Sequence, residues 1–185
     1  MRIIAGERRG AKLEAVPGLN TRPTADRVKE SLFNIIQMDI DSDTIVLDAF
    51  AGTGNLGLEA LSRGAKQAVF VEKDAQALAV LRRNIQKCHF EDRAEIIAGD
   101  IFEIIPNLSG RCFDLILLDP PYRKNLYESV ISCITKYHLL GEYGILVSEC
   151  SKSTPFKWEN NKNIHCYKSK SYGDTVLSFF TQNEI

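Results

Sequence analysis

Residues 44–57 read Thr-Ile-Val-Leu-Asp-Ala-Phe-Ala-Gly-Thr-Gly-Asn-Leu-Gly, and this stretch decides the fold. The apolar run that ends at Asp48 predicts a strand buried on both faces. Glycines 52, 54 and 57 satisfy the pattern G-x-G-x-x-G, and Glu72 follows Gly52 by twenty residues. Such a turn lets a ligand approach the backbone closely, and the later carboxylate is placed to bind a ribose diol. We therefore predict a site for a nucleoside-containing cofactor.

Outward from this stretch, short apolar runs alternate with helical patterns, which is typical of a parallel sheet with crossover helices. The predicted strands are 44–50, 67–72, 94–98, 113–119, 143–149, 163–169 and 175–181. The predicted helices are one capped by Thr24 that runs to Ile36, then 55–64, one capped by Asp74 that runs to Cys88, then 101–107 and 125–140. The last two strands must pair antiparallel because their connection is too short for a crossover. We expect an α/β, Rossmann-like fold with a mostly parallel seven-stranded sheet and an antiparallel C-terminal strand.

Length and composition are typical of one compact, soluble domain, with 185 residues, 44% hydrophobic and 25% charged. Within it, residues 1–40 are expected to form a basic extension, a hairpin and a helix, ahead of the main domain at 41–185. The five cysteines form no CxxC pair, which favours free thiols in a reducing cytoplasm. No signal peptide or membrane-spanning run is apparent. The three histidines do not cluster, so we predict no metal.

The positive charge lies at the two ends of the chain. Residues 1–23 contain five Lys or Arg and two Glu, and residues 151–172 contain five Lys and one Glu. Residues 24–150 contain 13 basic and 19 acidic side chains. If the fold brings both ends to one face, they form a basic patch suited to a polyanion; otherwise they are solvated tails.

Both dinucleotides and S-adenosylmethionine use a glycine turn of this kind, and Asp48 bears on the choice between them. A carboxylate beside the turn would repel a pyrophosphate. It suits a cofactor that carries a sulfonium and an ammonium group.

A second motif, Asp119-Pro120-Pro121-Tyr122, follows the fourth predicted strand. Ligands of open α/β sheets bind outside the carboxyl ends of the strands, so this motif is expected at the same crevice as the glycine turn. Two prolines remove two donors and leave carbonyl oxygens beside a carboxylate. The motif therefore presents acceptors for an amino group and an aromatic ring to stack on a base.

These two motifs together resemble the class I S-adenosylmethionine-dependent methyltransferases, among them those that methylate exocyclic amines of nucleobases. Residues 1–6, 9–10, 22–30, 32–34, 57–65 and 172–173 are similar to the RsmD family of bacterial 16S ribosomal RNA guanine-N2 methyltransferases. The resemblance implies methyl transfer from S-adenosylmethionine to 16S rRNA, within an assembling or assembled 30S particle. Thr53 and Ala11 depart from residues common in the family.

The expected site residues fall into three groups. The catalytic group is Asp119, Pro120, Pro121 and Tyr122, with Asp119 as acceptor and possible base. The cofactor group is Asp48, Phe50, Ala51, Gly52, Thr53, Gly54, Glu72, Lys73, Asp100 and Ile101. The resemblance implies that Asp100 contacts the adenine amine; it is alternatively a helix cap, and the two roles are compatible. The RNA group is Arg8, Arg9, Arg22, Arg27 and Lys29, the last two being alternatively an ordinary polar helix face.

Three competing functions share parts of this pattern. A DNA adenine-N6 methyltransferase would use the same motifs, but it usually carries a separate target-reading domain. An NAD-dependent oxidoreductase would use the glycine turn and is disfavoured by Asp48. A non-catalytic RNA-binding protein would keep the fold without turnover.

Overall fold

A computed structural model describes residues 1–17, 23–120, 126–153 and 161–183. A seven-stranded sheet forms its centre, with strands β1 Ile45–Asp48, β2 Gln67–Glu72, β3 Ala94–Ala98, β4 Phe113–Leu118, β5 Leu140–Ser151, β6 Ile164–Tyr172 and β7 Thr175–Gln182. The strand order is β3-β2-β1-β4-β5-β7-β6. β7 pairs antiparallel with both neighbours, and every other pair is parallel. The expected sheet, with one reversed C-terminal strand, is confirmed.

Helices cover both faces of the sheet. They are α1 Pro23–Ile35, α2 Asn55–Ser62, α3 Ala75–Cys88, α4 Ile101–Ile104 and α5 Leu126–Lys136. One apolar cluster joins the sheet to α1, α2 and α3 through side chains such as Val28, Leu58 and Leu81. A second joins the other face to α4 and α5 through Ile101 and Val130. Among the described residues, no helix is long and apolar enough to span a membrane.

Several helix boundaries differ from the prediction. α2 ends at Ser62 and not at Gly64, and α4 ends at Ile104 and not at 107, because a 3-10 helix takes over at Ile105–Leu108. α1 begins at Pro23, so Thr24 lies in its first turn instead of capping it; the fixed φ of proline suits that first position. α5 ends at Lys136 and not at 140, because His138 adopts a left-handed φ of 52° and Leu140 already belongs to β5. The predicted Asp74 cap is present, with its carboxylate accepting from the Ala77 N–H.

The N-terminal segment, residues 1–14, doubles back on itself and packs on α2 and α3. Arg2 pairs antiparallel with Lys12, and the buried side chains of Ile3 and Leu13 join the cluster on the α2 face. The turn of this segment lies at the carboxyl end of α2, where the Glu7 N–H donates to the Ser62 carbonyl at 2.8 Å. The segment therefore runs the length of α2, from the glycine turn to the opposite edge of the sheet.

Candidate active site

The glycine turn leaves β1 at Asp48 and enters α2 at Asn55. Gly54 has φ of +86°, a backbone conformation that favours glycine, and a Cβ there would lie 2.5 Å from Leu81 Cδ1, so a side chain would also displace this leucine. At Gly57 a Cβ would lie 2.3 Å from Phe70 Cε1. This closeness lets α2 pack directly against β2. It also lets the Gly57 N–H donate to Asp48 Oδ2 at 2.9 Å.

Glu72, at the end of β2, is joined directly to the turn. Its Oε2 accepts from the Gly52 N–H at 2.7 Å, and its Oε1 accepts from the N–H groups of Lys73 and Asp74, both at 2.8 Å. The predicted neighbourhood of Gly52 and Glu72 is thus present in the structure. A carboxylate has about four acceptor positions, so Oε2 retains one for a further donor.

Carboxyl groups lie within two residues of the carboxyl ends of the five neighbouring parallel strands from β3 to β5. In the order of the strands across the sheet, they are Asp100, Glu72, Asp48, Asp119 and Glu149. Adjacent strands lie about 4.8 Å apart, so these groups form a row along one edge. No cluster of three or more potential metal ligands occurs among the residues that the structure describes. The row offers carboxyl oxygens to a cationic ligand, whose charge would favour their ionised form.

Burial and mutual repulsion perturb three of these carboxyl groups. Asp48 is 1% exposed, and desolvation raises its pKa from 3.8 to about 7, helped by the charges of Asp119 and Glu72 and opposed by the Gly57 N–H. Desolvation also raises the pKa of Asp119 and of Glu149, and the charge of Asp119 raises that of Glu149 further. Asp119 nevertheless keeps an exposed surface, so a substrate still reaches one side of its carboxyl. Perturbed acids concentrated at one edge are typical of functional sites.

Glu149 did not emerge from the sequence as a site residue. The register Leu118↔Ser148 between β4 and β5 makes Asp119 and Glu149 the next pair of neighbours along the two strands. The signal that could have found it is its place as the last residue of the predicted fifth strand, 143–149, because the other four carboxyl groups also lie close to strand ends.

Asp100 begins α4 and serves as its cap. Its Oδ1 accepts from the Phe102 N–H at 3.1 Å, and its Oδ2 accepts from Lys73 Nζ at 3.0 Å. The Lys73 bond is the main cause that lowers the pKa of Asp100. The capping role is therefore present, and an adenine contact would have to share this carboxylate. The side chain of Ile101 lies in the core at 4% exposure, so it offers a ligand chiefly its backbone.

The remaining predicted cofactor residues surround the turn. Phe50 is half-buried against the core, Ala51 is buried, and Thr53 is half-buried. Of the catalytic group, Pro120 is buried after β4. Pro121 and Tyr122 lie outside the described residues.

The predicted RNA residues separate into different places. Arg27 is exposed on α1, and Arg22 lies outside the described residues. Arg8 and Arg9 lie at the carboxyl end of α2, where the Arg8 N–H donates to Ser62 Oγ at 3.0 Å. A cavity of about 500 Å³ between Glu7, Ser62 and Arg93 lies at that same edge, away from the carboxylate row.

Lys29 was expected to contact RNA, and the structure contradicts this expectation because the side chain is buried. Its side chain is 1% exposed, and its Nζ donates to the Arg2 carbonyl at 2.6 Å and to Asn55 Oδ1 at 2.8 Å. It also pairs with the buried Glu59 at 3.3 Å. An ammonium enclosed in this way is unavailable to RNA. Residues four apart share one face of a helix, so the apolar Phe33 was the sequence signal that Lys29 faces the core.

The fold and site together define the Rossmann-like methyltransferase class. The structure is similar to one described as "Putative methyltransferase yhhF from Escherichia coli", with a TM-score of 0.87 and 32% identity over 100% of this chain and 98% of that chain. A structure of a Salinibacter ruber RNA methyltransferase in complex with S-adenosyl-L-homocysteine has a TM-score of 0.67 at 16% identity and supports the fold alone.

Sequence comparison gives the family. A family model described as "Conserved hypothetical protein 95" matches residues 1–181. The chain is 40% identical over 176 residues to "Ribosomal RNA small subunit methyltransferase D" of Haemophilus influenzae, covering 94% of this chain and 89% of that protein. It is 34% identical over 182 residues to "Putative rRNA methyltransferase YlbH" of Bacillus subtilis, covering 97% and 98%. The chain belongs to this family, the RsmD family.

Proposed function

We propose that the protein transfers a methyl group from S-adenosylmethionine to the exocyclic N2 amine of a guanine in 16S rRNA. The observation that carries the proposal is the row of carboxylates beside a glycine turn, with Asp119 one strand away from Asp48. Relatives named as ribosomal RNA small subunit methyltransferases, at 34–40% identity, support rRNA as the substrate class.

The residues at the turn fit such a cofactor. A Cβ placed on Gly52 would meet nothing within 4 Å, so the turn is open on that side. Asp48, Glu72 and Asp119 supply negative charge where a sulfonium and an ammonium need it. The remaining acceptor position of Glu72 would take a ribose hydroxyl, and Asp100 would take the adenine amine. When bound, S-adenosylmethionine supplies an electrophilic methyl group.

The chain's own contribution to the reaction is to bind and orient the amine. The lone pair of a guanine N2 is delocalised into the ring, so the nitrogen is a weak nucleophile. The Asp119 carboxylate and the Pro120 carbonyl would accept hydrogen bonds from its two N–H groups and stabilise positive charge that develops on nitrogen. The proton that leaves this nitrogen passes to Asp119 or to water. Tyr122 would stack on a base that has left its helix.

The three arginines proposed to contact RNA lie in two places, Arg27 on α1 and Arg8 with Arg9 at the carboxyl end of α2. Arg27 precedes Lys29 by two residues, and the Lys29 ammonium reaches Asn55 at the start of α2. Arg8 and Arg9 lie at the other end of this eight-residue helix, about 12 Å away along its axis. An RNA that contacts all three arginines would have to span both places, as a folded rRNA helix or a 30S particle does.

The deciding experiment compares tritium transfer from labelled S-adenosylmethionine to free 16S rRNA, 30S particles and duplex DNA. We expect transfer to 16S rRNA or 30S particles, with N2-methylguanosine found by mass spectrometry of the digested product. Label found only in DNA adenine would instead establish a DNA adenine-N6 methyltransferase.

Two variants of Asp119 complete this test. Asp119→Ala removes the acceptor, so turnover should fall by at least about a hundredfold, whereas S-adenosylhomocysteine should still bind. Asp119→Asn keeps an acceptor oxygen and should retain more activity than the alanine variant. Equal turnover in both variants and the parent protein would exclude this role for Asp119.

A further inference from the structure

We infer that the N-terminal segment is a structural part of the cofactor site, because two buried side chains, Lys29 and Asn84, tie it to the glycine turn. These are positioning residues, and their role rests on the function proposed above. Each of them bonds at one end to residues 53–55 and at the other end to the segment 1–14.

The first bridge runs through Asn84 of α3, which is fully buried. Its Nδ2 donates to the Thr53 carbonyl at 2.9 Å and to the Glu14 carbonyl at 3.1 Å. Its Oδ1 accepts from the Glu14 N–H at 2.8 Å. One amide therefore links the middle of the glycine turn to the end of the N-terminal segment, and both of its polar atoms are paired.

The second bridge runs through Lys29 of α1, whose ammonium holds the Arg2 carbonyl and the side chain of Asn55. The fully buried Glu59 pairs with this ammonium through Oε2 at 3.3 Å and with the Arg63 guanidinium through Oε1 at 2.8 Å. The same carboxylate accepts from the Ile4 N–H at 2.8 Å and the Ala5 N–H at 3.1 Å. A buried ion pair contributes little net stability unless its remaining hydrogen bonds are satisfied, as they are here.

The two bridges fix opposite sides of the same turn. Thr53 precedes Gly54 and Asn55 follows it, and Gly54 holds the left-handed backbone conformation on which the turn depends. The same turn, residues 52–55, also includes Gly52, whose N–H donates to Glu72. A loosened turn would therefore misplace the groups expected to hold the cofactor while leaving Asp119 where it is. The consequence is a defect in cofactor binding more than in the methyl-transfer step.

The test uses Asn84→Leu, which cuts the first bridge, and Asn55→Ala, which cuts the link from Lys29 to the turn without disturbing the ion pair. Glu14→Ala is the matched control, because it removes only the exposed pair with Arg83 and keeps both backbone bonds to Asn84. Val130→Ala, in the core on the other face of the sheet, controls for lost stability.

The measurements are the Kd of S-adenosylhomocysteine, the KM and kcat for S-adenosylmethionine, and amide hydrogen exchange of the turn without ligand.

For each bridge variant we expect the Kd and KM to rise about five- to tenfold, with kcat changed less than twofold and faster exchange at residues 52–57. Both controls should keep the parent Kd and the parent exchange at the turn. Unchanged exchange in Asn84→Leu and Asn55→Ala would overturn the inference, whatever the ligand. If the parent protein bound no S-adenosylhomocysteine, the proposed function would fail, while the exchange experiment would still decide whether the bridges fix the turn.

Discussion

Burial of the Asp48 carboxyl makes the free energy of unfolding depend on pH, at a position proposed to bind the cofactor. An unfolded Asp48 loses its proton near pH 3.8, whereas the folded protein holds it until about pH 7. The folded state thus binds more protons between these values, so the free energy of unfolding falls as pH rises through this range. The full effect is at most about 4 kcal/mol, at about 1.4 kcal/mol per pKa unit.

Asp48→Asn removes this titration and keeps an acceptor for the Gly57 N–H. We expect it to raise the urea midpoint relative to the parent protein at pH 8 and to lose that advantage by about pH 4, while weakening S-adenosylhomocysteine binding. Asp43→Asn, at a side chain that is 90% exposed, is the control and should gain nothing that depends on pH. A stability difference that stayed constant from pH 4 to 8 would contradict the assignment.

Asp119 gives a second pH dependence, this time in the rate. Its carboxyl accepts best when ionised, and its raised pKa delays ionisation toward neutral pH. We therefore expect kcat to fall as the pH drops below neutrality in the parent protein. Asp119→Asn does not titrate, so its lower rate should be flat over the same range, measured at saturating cofactor. If the rate of this variant still declined as the pH fell, the titration would belong to another carboxyl group of the row, Asp48 or Glu149.

At the scale of elements, the contact of α2 with β2 depends on Gly57. A Cβ there would lie 2.3 Å from Phe70 Cε1 and 3.1 Å from Asp48 Oδ2. Gly57→Ala should therefore destabilise the protein by about 1–3 kcal/mol, measured by urea unfolding, as α2 moves away from the sheet. Phe70→Leu makes room, so the double variant Gly57→Ala/Phe70→Leu should lose less than the two single variants together. Strict additivity would show that the clash is relieved elsewhere.

Elements with a clear period were predictable from the sequence, and their ends were less so. β2 and β3 match their predicted ranges because polar or turn residues bound each apolar run. The end of α5 was not visible, since Leu139 and Leu140 continue an apolar pattern that a helix and a strand share. His138, in a left-handed backbone conformation, separates α5 from β5. The stretch contains no glycine or asparagine before Leu140 that would have predicted this conformation.

For the molecule as a whole, the sequence predicted that Asp48, Glu72 and Asp119 lie near strand ends, but it predicted neither the place of Glu149 nor the burial of Lys29. Strand ends of a parallel sheet meet at one edge, so topology alone brings Asp48, Glu72 and Asp119 together. The basic residues lie on an extension whose path is set by tertiary contacts, such as the bonds of Glu59 to Ile4 and Ala5. Positive charge near the N-terminus therefore proved to be partly buried, at Lys29, and partly at the far edge, at Arg9.

This separation predicts a dependence on RNA length. We expect a short oligonucleotide at the carboxylate row to contact Arg27 but not Arg9, which lies at the far end of α2, so Arg27→Ala should weaken its binding and Arg9→Ala should not. Full-length 16S rRNA or a 30S particle is long enough to contact both arginines, so each variant should weaken its binding. Each should also reduce the steepness of log K against log salt by the amount that one phosphate contact contributes. Fluorescence anisotropy with the short RNA and filter binding with the long one measure the difference, with S-adenosylhomocysteine affinity as the control for folding. If Arg9→Ala leaves both RNAs unaffected, the Arg8–Arg9 turn lies outside the interface.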